Sequence, residues 1–201
     1  MKVIGITGGT GAGKTTALNV LREYGAEVID CDALYHELLR TSGEMRDEIT
    51  ARFGDVFTDG TLDRKKLGAV VFGDAAALEE LSAITHRHVV RAVRGIVSAS
   101  RERGLPAVAI DAIALVEAGL TADCDVTVAV TAPAEIRMRR IMRRENISEE
   151  YARKRITAQK LDSFYEQNCT YVLVNDFASQ EGFELCCREL FNKIFGGDNN
   201  G

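Results

Sequence analysis

The run Gly8-Gly9-Thr10-Gly11-Ala12-Gly13-Lys14-Thr15 constrains the chain more than any other feature. It fits G-x-x-x-x-G-K-[ST] and lies between an apolar segment, Val3 to Thr7, and a helical pattern, Lys14 to Tyr24. Glycines allow positive φ, so such a loop can turn its N–H groups inward around a phosphate, and the following helix adds its positive end. Lys14 can reach the β- and γ-phosphates as a flexible point charge, and the Thr15 hydroxyl can ligate Mg²⁺. A dinucleotide-binding G-x-G-x-x-G does not fit, because from Gly9 and Gly11 the third glycine should fall where Lys14 stands. A ligand-free glycine-rich turn is the bland alternative, and the strand-loop-helix context weighs against it. The loop points to a nucleoside triphosphate.

Five apolar segments read as strands: Val3 to Thr7, Glu27 to Asp30, Ala107 to Asp111, Val126 to Val130 and Tyr171 to Val174. Their near-continuous hydrophobicity predicts strands buried on both faces. Helical patterns separate them, with Ala17, Leu18 and Leu21 on one side of the first and Gly25 as its stop. The fold class is therefore α/β, a five-stranded parallel sheet flanked by helices in the manner of a phosphate-loop NTPase core. About seventy residues separate the second and third strands, far more than one crossover helix needs. This spacing predicts an inserted helical subdomain at 34–104, with the core at 1–33, 105–131 and 169–195, a helical lid at 132–168 and a flexible tail at 196–201.

Bulk properties exclude several classes of partner. With 201 residues and a net charge of −5, the chain can bury a full core and has no general affinity for nucleic acid or anionic membranes. No apolar stretch approaches the ~20 residues of a membrane span. The cysteines Cys31, Cys124, Cys169, Cys186 and Cys187 are odd in number and lack C-x-x-C spacing, which predicts reduced thiols in a cytoplasmic protein. Cys31 reads as packing, with oxidation sensitivity the lesser alternative.

Three further groups bear on chemistry. Asp30 and Asp32 follow the second strand at its carboxyl end, where open α/β sheets gather ligands, and Asp32 could orient or deprotonate an attacking hydroxyl; an acidic turn is the alternative. Asp111 ends the third strand where a Mg²⁺-binding acid would sit, or serves as a strand-end cap. Ile136 to Arg144 mixes apolar and cationic residues at helical spacing, with Met138, Ile141 and Met142 expected on the anchoring face. It is either a solvated face or a lid whose guanidinium groups neutralise charge on the transferred group.

Taken together, these segments resemble the dephospho-coenzyme A kinase family from Val3 to about Asp176. The resemblance rests on Ile6 to Thr16, Val28-Ile29-Asp30-Cys31-Asp32, and Gly60 to Arg64 with Leu67 and Phe72. Thr85-His86, Asp111 to Glu117, the arginine segment, Arg155 to Gln159 and Val174-Asn175-Asp176 follow in the family's order. It implies transfer of the ATP γ-phosphoryl group to the ribose 3′-hydroxyl of dephospho-coenzyme A, with Mg²⁺ as cofactor. By the same resemblance Asp32, Lys14 and Arg140 are catalytic. Gly9, Gly11, Ala12, Gly13, Lys14, Thr15, Thr16, Arg140 and Asn175 would bind ATP, with Asn175 near the adenine. Asp32, Arg64, His86, Asp111 and Glu117 would face the acceptor, and Thr15 and Asp111 the metal. His86 also reads as a helix-surface histidine.

The chain departs from the family at two places: Arg87 stands where a proline follows the histidine, and Ile113 where a proline lies two residues after Asp111. Both prolines would fix backbone near the acceptor. A related kinase acting on a nucleoside, nucleotide or sugar acid, or a nucleotide-binding regulator, therefore stand as the alternatives.

Overall fold

The structure is a computed structural model and describes residues 1–196; of the expected tail, 197–201 lie outside the described residues. The first elements are β1 (Lys2–Thr7), α1 (Lys14–Glu23), β2 (Ala26–Asp30), α2 (Cys31–Thr41) and α3 (Gly43–Phe53). A hairpin of β3 (Phe57–Thr58) and β4 (Thr61–Leu62) precedes α4 (Arg64–Val71) and the long α5 (Ala75–Glu102). Then come β5 (Ala107–Asp111), β6 (Val126–Thr131), α6 (Ala134–Glu145), α7 (Glu149–Thr157), α8 (Asp162–Asn168), β7 (Tyr171–Val174) and α9 (Gln180–Gly196). They form two compact units, one of Met1–Val28 with the chain from Ser100, the other of Ile29–Ala99.

The first unit is built on a five-stranded sheet of order β2-β5-β1-β6-β7, in which β1 pairs in parallel with β5 and β6, and β6 with β7. Alternate residues of β1 go to opposite faces. Ile4 and Ile6 join Leu18 and Leu21 of α1 and Phe183 and Phe191 of α9 in one buried cluster. Gly5 points the other way, where an added Cβ would come within 2.7 Å of Leu115 and 2.9 Å of the Cys124 thiol. The segment after β5 thus closes directly on the sheet, and burial pushes the Cys124 thiol up to about 12. Strands covered on both sides lose the polar alternation of half-exposed ones, which is why the sequence shows apolar runs. Truncating Ile6 to alanine would cost about 2–5 kcal/mol.

The second unit has its own core, in which Met45, Ile49 and Phe53 of α3 meet Val56 and Leu67 and Val71 of α4. Its hairpin was not foreseen from the sequence, although Asp59-Gly60 is the signal for one. Asp59 has φ 49° and Gly60 φ 75°, the paired positive values of a tight hairpin turn. Helix α5 runs unbroken through Arg87, which ion-pairs with Glu48 of α3. A proline at 87 would remove a helical hydrogen bond and kink this helix.

Candidate active site

The phosphate loop occupies residues 8–13 between β1 and α1. Three of its glycines hold positive φ: 130° at Gly8, 80° at Gly11 and 114° at Gly13. Any side chain at Gly8 would collide with the Val130 carbonyl of β6, and one at Gly13 with the Asn175 amide. Gly13 contributes no capping side chain to α1, so the helix presents its positive end toward the loop. Lys14 folds back, its Nζ donating to the Gly8 carbonyl at 3.0 Å. Its ammonium lies across the loop it must serve.

Side chains from α6 and from beyond β7 grip the loop from outside. Arg140 donates through Nη1 to the carbonyls of Gly11 (3.3 Å) and Ala12 (3.2 Å), and through Nη2 to Asn175 Oδ1 (3.1 Å). Asn175, buried, returns a hydrogen bond from Nδ2 to the Ala12 carbonyl at 2.8 Å. Both ends of its amide therefore serve the loop, while its backbone N–H donates to Thr131 at 2.7 Å. Burial lowers the affinity of Arg137 and Arg140 for their protons, though guanidinium remains charged at neutral pH.

Arg137 is a contact of the phosphate loop that sequence reasoning passed over. Met138, Ile141 and Met142 were expected to anchor α6 with its arginines outside, but the buried residues of the helix are Arg137 and Ile141. Arginine is stable on that face because its Nε donates to the Thr10 carbonyl at 3.0 Å and its Nη2 to Gln159 Oε1. The four-residue spacing of Arg137 and Ile141 was the available signal.

Asp111 ends β5 opposite Ile6 in the register, with Ala112 N donating to the Ile6 carbonyl at 3.1 Å and the Thr7 hydroxyl to the Ile113 carbonyl at 3.1 Å. Thr15, exposed in the first turn of α1, and Asp111 offer a hydroxyl and a carboxylate, hard oxygen donors that fit Mg²⁺. Glu117 lies exposed in the turn after β5, and its charge acts on the Tyr165 hydroxyl of α8. Burial first, then Glu117, raises that hydroxyl's pKa, and Arg137 opposes the shift.

Asp32, Arg64 and His86 belong to the second unit. Asp30 caps α2 by accepting from Ala33 N at 2.9 Å, and this leaves Asp32 exposed in the first turn. Asp63 does the same for α4, accepting from Lys65 N (2.9 Å) and Lys66 N (3.1 Å), and so fixes Arg64 as the first helical residue. Arg64 lines a cavity of about 350 Å³ with Tyr35, His36, Leu67, Val71 and Phe72. Burial raises the Tyr35 pKa, and the Arg64 charge lowers it in part. His86 is half-buried on α5.

A parallel sheet of this order with a phosphate loop after its central strand defines a phosphate-loop α/β protein of the kinase type. A family model described as CoaE, dephospho-CoA kinase, matches residues 2–181. The chain is 38% identical over 192 residues to a dephospho-CoA kinase of Dehalococcoides mccartyi, covering 94% of this chain and 96% of that protein. Among solved structures, TT1252 from Thermus thermophilus superposes with a TM-score of 0.76 at 31% identity, over 96% of this chain and 97% of that one. Dephospho-CoA kinase from Campylobacter jejuni has the same fold, with a TM-score of 0.69 at 21% identity and 98% of each chain covered. The chain belongs to the dephospho-CoA kinase family.

Proposed function

We propose that the chain transfers the γ-phosphoryl group of ATP to the ribose 3′-hydroxyl of dephospho-CoA, giving CoA and ADP in the last step of coenzyme A biosynthesis. The observation that carries this reading is a phosphate loop braced from α6 and from Asn175 just after β7, in a chain that matches the family from residue 2 to 181. The bond from the 3′-oxygen to phosphorus forms as the bond from phosphorus to the β,γ-bridging oxygen breaks. Asp32 takes up the hydroxyl proton, which leaves with product to solvent; because the transition state is loose, aiming the hydroxyl matters at least as much as removing its proton. Lys14 and Arg140 stabilise the charge that spreads over the transferred oxygens. Thr15 and Asp111 would hold magnesium, which would supply charge neutralisation to the triphosphate.

On the acceptor side, Arg64, His86 and Glu117 are the candidate contacts, in an acceptor subdomain at 34–104. The segment 132–168 is the lid, and Asn175 flanks the adenine side of the nucleotide. A cytoplasmic setting suits the five free cysteines, which an oxidising compartment would place at risk. No helix among the described residues is long and apolar enough to cross a membrane.

Incubation with MgATP and dephospho-CoA, followed by phosphorus NMR and mass spectrometry, tests the proposal. The expected product carries a new phosphomonoester on the 3′-oxygen. Turnover of a panel of other alcohols with dephospho-CoA untouched would reject the acceptor assignment, and failure to bind MgATP would reject the reaction class.

A further inference from the structure

All three polar groups of Thr10, at the apex of the phosphate loop, are held by side chains from outside the loop. Its N–H donates to Gln159 Oε1 at 3.0 Å, its hydroxyl accepts from Gln159 Nε2 at 2.7 Å, and its carbonyl accepts from Arg137 Nε at 3.0 Å. Arg137 also donates to Gln159 Oε1, so the two clamp residues fix each other. The approach is close enough that a side chain at position 9 would displace the clamp. A Cβ at Gly9 would run into the Arg137 guanidinium and lie 2.8 Å from Gln159 Oε1.

From this geometry we infer that Gln159 and Arg137 are positioning residues for phosphoryl transfer, which lock the apex of the phosphate loop in the shape that grips a triphosphate. This rests on the kinase reading above. Two features give the clamp its role. First, the Thr10 N–H is turned to Gln159, which leaves the anion to the other amides of the loop and to the end of α1. Second, the clamp residues come from different elements, Arg137 from α6 and Gln159 from just after α7. The base of the proposed lid and the apex of the loop are thereby one hydrogen-bonded piece. Arg139, Arg143, Arg144 and Arg153 of the same segment are exposed.

A role limited to folding would weaken every ligand and the melting temperature together; a positioning role acts on the phosphates alone. Gln159→Ala is expected to raise the Kd for MgATP and lower kcat/KM for ATP on the order of ten- to a hundredfold. Adenosine affinity by NMR titration, KM for the acceptor and Tm are expected to stay near wild-type values. Thr10→Val, which removes only the hydroxyl, should give a smaller loss of the same kind, and adding it to Gln159→Ala should cost little more. Should Gln159→Ala fail to fold, Thr10→Val alone carries the comparison between MgATP and adenosine. Unchanged MgATP affinity in a folded variant, an equal loss for adenosine, or fully additive losses in the double variant would overturn the inference. Wild-type protein that binds no MgATP would instead overturn the kinase reading, so the two failures are distinguishable.

Discussion

Around its phosphate loop the first unit uses arginine to an end opposite to that on the helix surfaces of the second, although exposed pairs such as Arg188 with Glu23 occur in the first unit too. In the first, Arg137 and Arg140 donate to the backbone carbonyls of Thr10, Gly11 and Ala12. Arg137 is only 5% exposed. In the second, Arg52 pairs with Glu80, Arg87 with Glu48 and Arg91 with Glu44, all on helix surfaces where the arginine side chains remain 46%, 60% and 59% exposed. A guanidinium aimed at main-chain oxygens in a dry setting fixes the shape of a loop, because its acceptors cannot rotate away and water does not compete. Exposed pairs between long side chains contribute about 0–1 kcal/mol and loosen with salt. Arginine content therefore says little until the acceptor is known.

This contrast can be broken in several places. The largest expected effect lies in the second unit, outside its ion pairs: Asp32→Asn should lower kcat by about 10²- to 10⁴-fold while MgATP still binds. Pre-steady-state transfer with calorimetry for the nucleotide checks it, and wild-type turnover would remove Asp32 from the mechanism. Next comes Lys14→Ala, for which kcat/KM for ATP should fall about 10²- to 10³-fold, as when one charge-stabilising donor is lost; an unchanged value refutes the phosphate contact. Arg140→Ala should cost on the order of tenfold or more in transfer with a small change in Tm, because Asn175 still donates to the Ala12 carbonyl at 2.8 Å. A large fall in Tm with intact kinetics would make Arg140 a structural brace alone.

The amino-acid sequence made the sheet and its loop legible for a physical reason: strands buried on both faces are written as apolar runs, and a phosphate loop needs glycine where φ is positive. The observed β5 and β7 have the expected limits, and β1, β2 and β6 differ by one residue at an end. The hairpin at Asp59-Gly60 escaped notice because its strands are two residues long, too short for any periodicity to show. The clamp was harder still. Gln159 and Thr10 are polar residues in irregular backbone, 149 positions apart, and nothing in either local pattern points to the other. Arg137 was hidden by its own chemistry, since pattern reading sends a cationic residue to solvent unless a fixed acceptor is known. Asp30 and Asp32 illustrate the converse: one pair of acids after a strand resolves into a helix cap and an exposed carboxylate once α2 is placed.

The smallest effect offers the sharpest test of the contrast, because Arg91 takes part in both kinds of interaction at once. Its guanidinium makes a two-point pair with Glu44, at 3.2 and 2.7 Å, in the open. It also meets Nδ1 of His88 at 2.8 Å, on a side chain only 2% exposed. Since guanidinium can only donate, Nδ1 is the acceptor, and the ring hydrogen sits on Nε2. That atom lies 3.3 Å from Glu48 Oε2 without the alignment of a hydrogen bond. Glu44→Ala deletes only the exposed pair and should change unfolding free energy by less than about 0.5 kcal/mol. Arg91→Ala strips the donor from a buried nitrogen as well and should cost about 1–3 kcal/mol. Urea denaturation of both variants, with Arg91→Lys as a partial substitute donor, reads the difference directly. Equal losses in the two alanine variants would mean that the surface pair carries the energy, and the distinction between buried and exposed guanidinium contacts would fail at a residue that makes both.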